Sequence, residues 1–245
     1  MSEDKKIPFV GLHAHSVAGS IFDAIGYPDE HMDFCYENGG EALALTDHGN
    51  MNGFSHQFLH WQKMKAEGKE FKPIFGVEAY FLPSIDDWRE EYDRIKADAK
   101  LAKTLAKKGD TSGATVEDEE ASKKAVKSVI NRRRHLVLLA QNQTGLNNLF
   151  KLISESYREE NFYRYPRVDY KLLDKYSEGV IASSACLGGP YAGNYWANRE
   201  EGPDAVRAAM RETSKEFVKV FGDRWYGELQ WNNIPEQHEL NQYII

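Results

Sequence analysis

The sequence predicts an α/β fold in which helices cover a parallel sheet, arranged as a barrel or as a doubly wound sheet. Short apolar runs rich in β-branched and aromatic residues recur along the 245 residues. Each run is followed by a segment with helical spacing, and strands that alternate with helices pair in parallel through right-handed crossovers. A chain of this length also buries enough apolar surface for one large domain.

The apolar runs predict six strands. They cover residues 7–13, 41–47, 72–81, 135–141, 179–185 and 224–231. Helical spacing predicts five helices, at residues 28–38, 53–67, 144–157, 169–175 and 203–221. Pro28 suits the first turn of the first helix, and Gly68 follows the end of the second. The alternation amounts to six βα units.

Residues 84–134 interrupt this alternation, because the segment is far longer than an ordinary connection between two strands. Ser84 with Asp87 resembles a capping box, and apolar residues follow it at helical spacing. After a turn at 107–115, Thr115 with Asp118 opens a second helix that ends in three arginines. We expect an inserted helical hairpin whose charges mostly face solvent.

Composition limits the class of protein. The net charge of −7 argues against a protein that is basic throughout, although local basic patches can still contact nucleic acid. The two cysteines, Cys35 and Cys186, are too few and too far apart for a disulfide framework. The N-terminus lacks the apolar core of a signal peptide, and no run approaches the roughly 18 apolar residues of a membrane span. We expect a soluble, cytoplasmic protein without membrane contact.

The last residues predict the beginning of a further unit. Pro235 opens a segment with an apolar stripe through Leu240 and Ile244, and no strand follows it. This favours a fragment of a longer polypeptide, or a barrel that lacks its final unit.

Imidazole, carboxylate and thiol side chains occur at the ends of several predicted strands. They are His13, His15, Asp47, His48, Glu78, His135 and Cys186. Residues i and i+2 of a strand point to the same side, so His13 and His15 should project together. Because the carboxyl ends of strands form the site in parallel α/β folds, we expect the whole set to converge there. Such ligands suit zinc, and manganese or iron is also admissible.

Most of these residues also have an interpretation without metal. His135 could simply enter a strand, and Cys186 could be a small buried hydrophobe. Asp47 could cap a turn, or it could hold a ligating imidazole by its second nitrogen. Asp23 is ambiguous on spacing alone. Glu78 is harder to explain in this way, because a carboxylate within an apolar run needs a partner charge or a metal.

Residues 160–171 interleave aromatic and basic side chains. Aromatic rings can stack on bases while arginine contacts phosphate, which makes Arg164 and Arg167 candidates for contact with single-stranded DNA. The alternative, which we favour, is a loop whose rings pack on the barrel.

Five motifs, in this order, resemble the PHP (polymerase and histidinol phosphatase) domain at the N-terminus of bacterial or phage DNA polymerase III α subunits. They are "HAHS", "TDHGN", "GVEAY", "HLVLLAQNQTGLNNL" and "SSACLGG". The resemblance covers nearly the whole chain except residues 84–134. It implies a distorted barrel of seven βα units, of which residues 1–245 would hold six, so that the chain would be the N-terminal PHP domain of a longer polymerase.

The resemblance also implies up to three divalent metal ions at the C-terminal face of the barrel. The paired ligands of the first, second and third ion would be His13 with His15, His135 with Cys186, and Asp23 with His48. Glu78 would bridge the first two ions, and Glu78, His13 and His15 would be the catalytic residues. The family completes this set with an Asp and a His after the seventh strand, beyond this sequence.

The implied activity is metal-dependent phosphoester hydrolysis, of the 3′–5′ exonuclease type, on DNA. The parent would be a DNA-directed DNA polymerase, and the implied partners are the polymerase module of the same chain and a proofreading exonuclease subunit. One alternative is a non-catalytic, metal-stabilised scaffold that docks the proofreading exonuclease. The other is a small-molecule phosphoesterase that resembles histidinol phosphatase.

Overall fold

The computed structural model describes residues 9–107 and 116–245, which form seven strands and nine α-helices. The strands are β1 (Ala42–Leu45), β2 (Lys72–Phe81), β3 (Arg134–Ala140), β4 (Phe162–Tyr163), β5 (Tyr165–Val168), β6 (Val180–Ser183) and β7 (Trp225–Tyr226). The helices are α1 (Pro28–Glu37), α2 (Phe54–Ala66), α3 (Ile85–Lys107), α4 (Val116–Asn131), α5 (Gln143–Ser156), α6 (Tyr170–Lys175), α7 (Pro190–Asn198), α8 (Pro203–Phe221) and α9 (Pro235–Ile244).

The sheet confirms the α/β class but is mixed rather than parallel. Its strand order is β4-β5-β2-β3-β6-β7, and β1 pairs with the first half of β2. Strands β1 and β5 run parallel to β2, and β7 runs parallel to β6. Strand β3 is antiparallel to both of its neighbours, β2 and β6. The prediction of parallel pairing is therefore wrong at β3.

The two helices between β2 and β3 explain this reversal. The Trp88 indole on α3 donates a hydrogen bond of 2.8 Å to the carbonyl of Val129 on α4. Arg132, just after α4, forms an ion pair of 2.6 Å with Glu91 near the start of α3. The beginning of α3 thus lies beside the end of α4, so the chain returns to the end of β2 that it left. The next strand must then run back along β2.

Helices α3 and α4 pack through a small core of their own, formed by Leu82, Trp88, Tyr92, Val129 and Ile130. The predicted cap is present, since the Asp87 amide donates a hydrogen bond of 3.1 Å to the Ser84 hydroxyl. Residues 108–115, which hold most of the predicted turn and the start of the predicted second cap, lie outside the described residues.

The predicted first strand, at residues 7–13, is not a regular strand in its described part. It makes one parallel bridge, between Gly11 and Leu43. The Ala44 amide donates to the Gly11 carbonyl, and the Thr46 amide donates to the Ala14 carbonyl. Between these two hydrogen bonds the first segment advances three residues, from Gly11 to Ala14, whereas the chain along β1 advances only two, from Ala44 to Thr46. The first segment thus has one extra residue, which interrupts regular strand pairing. The segment nevertheless runs beside β1 and carries its histidines to the strand end.

Sequence patterns missed two short strands and one helix. Residues 162–168 form the hairpin of β4 and β5, whereas we favoured a loop there. Helix α7 follows the glycines of "CLGGP" and begins at Pro190, a residue that suits the first turn of a helix. The predicted strand at 224–231 is regular only at Trp225–Tyr226.

The main core lies between the sheet and helices α5, α6 and α8. Its fully buried members include Leu136, Leu138, Leu149, Leu152, Leu173 and Phe217. Trp225 of β7 stacks on Phe217 with a centroid distance of 4.1 Å. This packing anchors the strands whose ends form the site. Within the described residues, the helices are too short or too polar to cross a membrane.

Candidate metal centre

The site is built around Glu78, a fully buried residue of β2. Four imidazoles from three separate parts of the chain surround its carboxylate. Oε1 lies 3.3 Å from His13 Nε2 and 3.0 Å from His135 Nδ1. Oε2 lies 3.1 Å from His15 Nε2 and 2.7 Å from His48 Nδ1. The predicted convergence of these five residues is therefore present in the fold.

Two strands bring His48 and His135 to Glu78. His48 follows β1 and forms a parallel bridge with Glu78. His135 is paired with Tyr80 across the antiparallel β2 and β3. Because β3 runs backwards, its first residues lie beside the last residues of β2. The first residues of β3 therefore reach a site at the carboxyl end of β2, which a wholly parallel sheet would not allow.

Cys186 reaches the same cluster from the loop after β6. Its Sγ lies 3.5 Å from His135 Nδ1 and donates to Glu78 Oε1 at 3.8 Å. The His135 amide donates to the Gly188 carbonyl at 2.9 Å. A Cβ atom on Gly188 would lie only 3.1 Å from the His135 ring, so glycine permits this close approach. The loop of "SSACLGG" thus lays the thiol against the imidazole.

Asp23 joins the cluster from the loop before α1. Its Oδ2 lies 2.5 Å from His48 Nε2 and 3.4 Å from His15 Nδ1. About half of the Asp23 side chain is exposed, so this carboxylate forms the outer edge of the cluster.

Asp47 holds that loop in place. Its buried carboxylate accepts hydrogen bonds from the Ser16 amide at 2.6 Å, from the Ser16 hydroxyl at 2.8 Å and from the Ser20 hydroxyl at 3.0 Å. These contacts match the turn-capping role that the sequence left open for Asp47. They do not provide the other predicted role, support of a ligating imidazole, because the carboxylate bonds to Ser16 and Ser20 instead.

Glu228 is a member of the site that sequence reasoning missed. Its Oε1 lies 2.6 Å from His13 Nδ1, on the side of the ring opposite the Nε2 atom near Glu78. The sequence does indicate Glu228, because this carboxylate lies within the apolar and aromatic run at residues 224–231. The same reasoning singled out Glu78.

Charge pairing shifts the titration of the cluster. Burial alone would raise the pKa of Glu78, but the surrounding imidazoles of His13, His135, His15 and His48 hold it well below its usual range. Burial opposes charge on His13, but Glu228 and Glu78 raise the pKa of that ring to about 10. Burial and the nearby Glu78 charge raise the pKa of the Cys186 thiol to about 11.

Two buried atoms without hydrogen-bond partners in the described part of the chain indicate that this donor set fits a cation. His48 Nδ1 and Glu78 Oε2 are 2.7 Å apart, yet neither has a hydrogen-bond partner among the described residues. Buried polar atoms normally find such partners. An imidazole nitrogen and a carboxylate oxygen that face each other without a hydrogen bond are suited to share a cation. The donor set therefore fits a metal ion.

Within residues 9–107 and 116–245, the potential ligand atoms form three overlapping groups, in each of which they lie within 4.8 Å of one another. The groups are His13, His15 and Glu78; His15, Asp23 and His48; and His48, Glu78 and His135. They line an open cleft of about 480 Å³. His31 of α1 also lines this cleft.

The two arginines predicted to contact DNA lie in different environments. Arg164 is exposed at the turn between β4 and β5, where its φ is +60°. Arg167 is completely buried, and its guanidinium donates to the carbonyls of Ile130, Tyr163 and Tyr165. A buried side chain cannot reach a nucleic acid on the surface, so the prediction for Arg167 is wrong.

One family model matches most of this chain, and curated relatives match nearly its whole length. The family model described as the PHP domain matches residues 11–232. The DNA polymerase III subunit alpha of Aquifex aeolicus is 38% identical over 245 residues, which are 100% of this chain and 17% of that protein. The subunit of the same name from Borreliella burgdorferi is 34% identical over 237 residues, 97% of this chain and 16% of that protein. The chain thus spans about a sixth of the length of these relatives.

Proposed function

Because this chain belongs to the PHP domain family, we propose that its cluster of imidazoles, carboxylates and one thiol hydrolyses phosphoesters with divalent metal ions. The observation that carries the proposal is the buried Glu78 carboxylate, which four imidazole nitrogens approach within 3.3 Å. The relatives further support placing the chain at the N-terminus of a DNA polymerase III α subunit. DNA and the polymerase module of the same chain are then its proposed partners, in the cytoplasm.

Up to three ions are proposed, one for each overlapping group of ligand atoms. Cys186 lies nearest to the group of His48, Glu78 and His135 and would complete it. Nitrogen, oxygen and sulfur ligands together favour zinc, and manganese or iron is the alternative. When bound, such ions activate water and neutralise charge on a phosphate group.

The proposed substrate is the 3′ end of a DNA strand. A cleft of about 480 Å³ is large enough for a nucleotide-sized group. It is open, with the half-exposed Asp23 at its outer edge and the buried Glu78 at its base. In this arrangement Glu78 is fully buried, with His13 and His15 beside its carboxylate, and these three residues would face the scissile phosphate.

An exonuclease assay tests the proposal. The 245-residue chain, loaded with zinc or manganese, is incubated with single-stranded DNA labelled at its 5′ end. We expect stepwise shortening from the 3′ end, and a rate at least about 100-fold lower in Glu78→Gln, since this change removes the central charge. Preferential hydrolysis of a phosphomonoester would instead support a small-molecule phosphoesterase. Bound metal without any hydrolysis, in a chain extended through the Asp and the His that the family places after the seventh strand, would support a scaffold that docks a proofreading exonuclease.

Arg164 is the remaining candidate for DNA contact. It lies between Tyr163 and Tyr165, in a hairpin whose Pro166 packs close to Gly49, the residue after His48. We expect Arg164→Ala to weaken binding of single-stranded DNA. The slope of log K, the binding constant, against the logarithm of the salt concentration should become less steep by about 0.7, the contribution of one phosphate contact. Titrations of a fluorescent oligonucleotide at several salt concentrations measure this slope.

The matched control for Arg164 is Arg207→Ala, which removes an exposed arginine from α8. It should leave the slope unchanged. An unchanged slope in Arg164→Ala as well would rule out the phosphate contact.

A further inference from the structure

We infer that Glu228 is a positioning residue, which holds the His13 ring by Nδ1 and leaves Nε2 directed into the cluster, where it would ligate a metal ion. This inference rests on the proposed function, because it states how one ligand of that site is oriented.

The two nitrogens of His13 face different partners. Nδ1 lies 2.6 Å from Glu228 Oε1. Nε2 lies 3.3 Å from Glu78 Oε1 and 3.3 Å from His15 Nε2, within the cluster. An imidazole that donates a proton from one nitrogen to a carboxylate keeps its other nitrogen available as a ligand, in a fixed ring orientation. Glu228 therefore determines which nitrogen of His13 is presented to the cleft.

The carboxylate of Glu228 is itself held by its neighbours. Oε2 accepts a hydrogen bond of 2.7 Å from the Ser183 hydroxyl. Oε1 accepts a second hydrogen bond, of 2.8 Å, from the Gln230 amide. The backbone amide of Glu228 donates to the Ser184 hydroxyl at 2.9 Å. Both carboxylate oxygens are thus occupied, so Glu228 is suited to orient a ligand rather than to act as one.

These contacts assign a role to the two serines of the motif "SSACLGG". Ser183 ends β6 and is paired with Tyr226 of the parallel strand β7. The pairing places the residues after β7, including Glu228, beside the residues after β6. The serines hold Glu228 toward His13, while Cys186 of the same motif reaches Glu78. One loop therefore supports two different parts of the cluster.

The first test measures zinc affinity by competition with a chelating dye. Compared with wild type, we expect Glu228→Ala to bind zinc about 10- to 100-fold more weakly, the usual effect of losing the partner of a ligating histidine. Glu228→Gln should recover much of this loss, because its amide oxygen can still accept the Nδ1 proton. The matched control is Glu239→Ala on α9, which removes a carboxylate bonded to the Tyr195 hydroxyl. Thermal unfolding of each variant checks that the fold is kept.

The second test is the NMR resonance of the hydrogen-bonded Nδ1 proton of His13, recorded without metal and assigned by its loss in His13→Gln. We expect the resonance in wild type and in Glu228→Gln, and its loss in Glu228→Ala. Zinc affinity of Glu228→Ala within about twofold of wild type, or an unchanged resonance in that variant, overturns the inference. If the wild type binds no zinc, the proposed function fails, whereas the resonance still decides whether Glu228 holds the ring.

Discussion

Replacing Glu78 with glutamine is expected to lower metal affinity by more than about 100-fold, a larger loss than for a residue that only supports a ligand. Glu78 belongs to two of the three groups of ligand atoms, and its two oxygens face four imidazoles. Glutamine keeps the shape of the side chain but removes its negative charge. Two groups would then lose their anionic ligand. Elemental analysis of the purified chain, followed by titration with zinc, measures the loss.

The matched control for this experiment is Asp33→Asn. Asp33 also pairs with an imidazole, since its Oδ1 lies 2.8 Å from His60 Nε2, but the pair does not line the cleft. We expect this variant to keep its metal. Wild-type metal content in Glu78→Gln would show that the ions bind elsewhere, and a wild type without metal would contradict the proposed centre.

Replacing Arg167 with alanine is expected to lower the free energy of unfolding by roughly 3–5 kcal/mol. The guanidinium donates to three backbone carbonyls, those of Ile130 at 2.5 Å, Tyr163 at 2.9 Å and Tyr165 at 3.2 Å. It also lies over the ring of Trp88, 4.0 Å from the ring centroid. Alanine leaves buried acceptors without donors and opens a cavity under the indole. Urea denaturation followed by circular dichroism measures the change.

Arg164→Ala serves as the control for stability, because Arg164 is exposed in the same hairpin. Its effect should stay within about 0.5 kcal/mol of wild type, as for most surface substitutions. The loss of unfolding free energy in Arg167→Lys should fall between those of Arg164→Ala and Arg167→Ala. Lysine keeps the charge but cannot make the several hydrogen bonds of the planar guanidinium. A loss below about 1 kcal/mol in Arg167→Ala would contradict the role of Arg167 in joining α4 to the β4–β5 hairpin.

Local patterns predicted most elements well where one segment carries its own signal. The strand at 72–81 and the helix at 203–221 have the predicted bounds, because their apolar spacing and their flanking residues are unambiguous. Prediction failed where pairing with another segment decides the structure. Residues 9–13 have the composition of a strand, but the extra residue opposite β1 prevents a regular ladder. Residues 162–168 form a hairpin whose strand β5 pairs with the last residues of β2, far away in the sequence.

At the site, too, some features follow from side-chain chemistry alone and others depend on tertiary packing. The need of a buried carboxylate for a partner singled out Glu78 within its apolar run, and its place at a strand end singled out His48. Spacing could not separate Arg164 from Arg167, which lie three residues apart in one aromatic and basic segment. Their burial depends on how α4 packs against that hairpin, a contact between segments far apart in the chain.

The sequence by itself determined the α/β class, most of the helices and strands, and most of the residues that converge on the cleft. Those features follow from hydrophobic periodicity and from the chemistry of single residues, which are local properties. The tertiary structure alone decided the direction of β3, the burial of Arg167, the capping role of Asp47 and the contact of Glu228 with His13. Each of these depends on which distant segments pack together, and packing is a property of the whole chain.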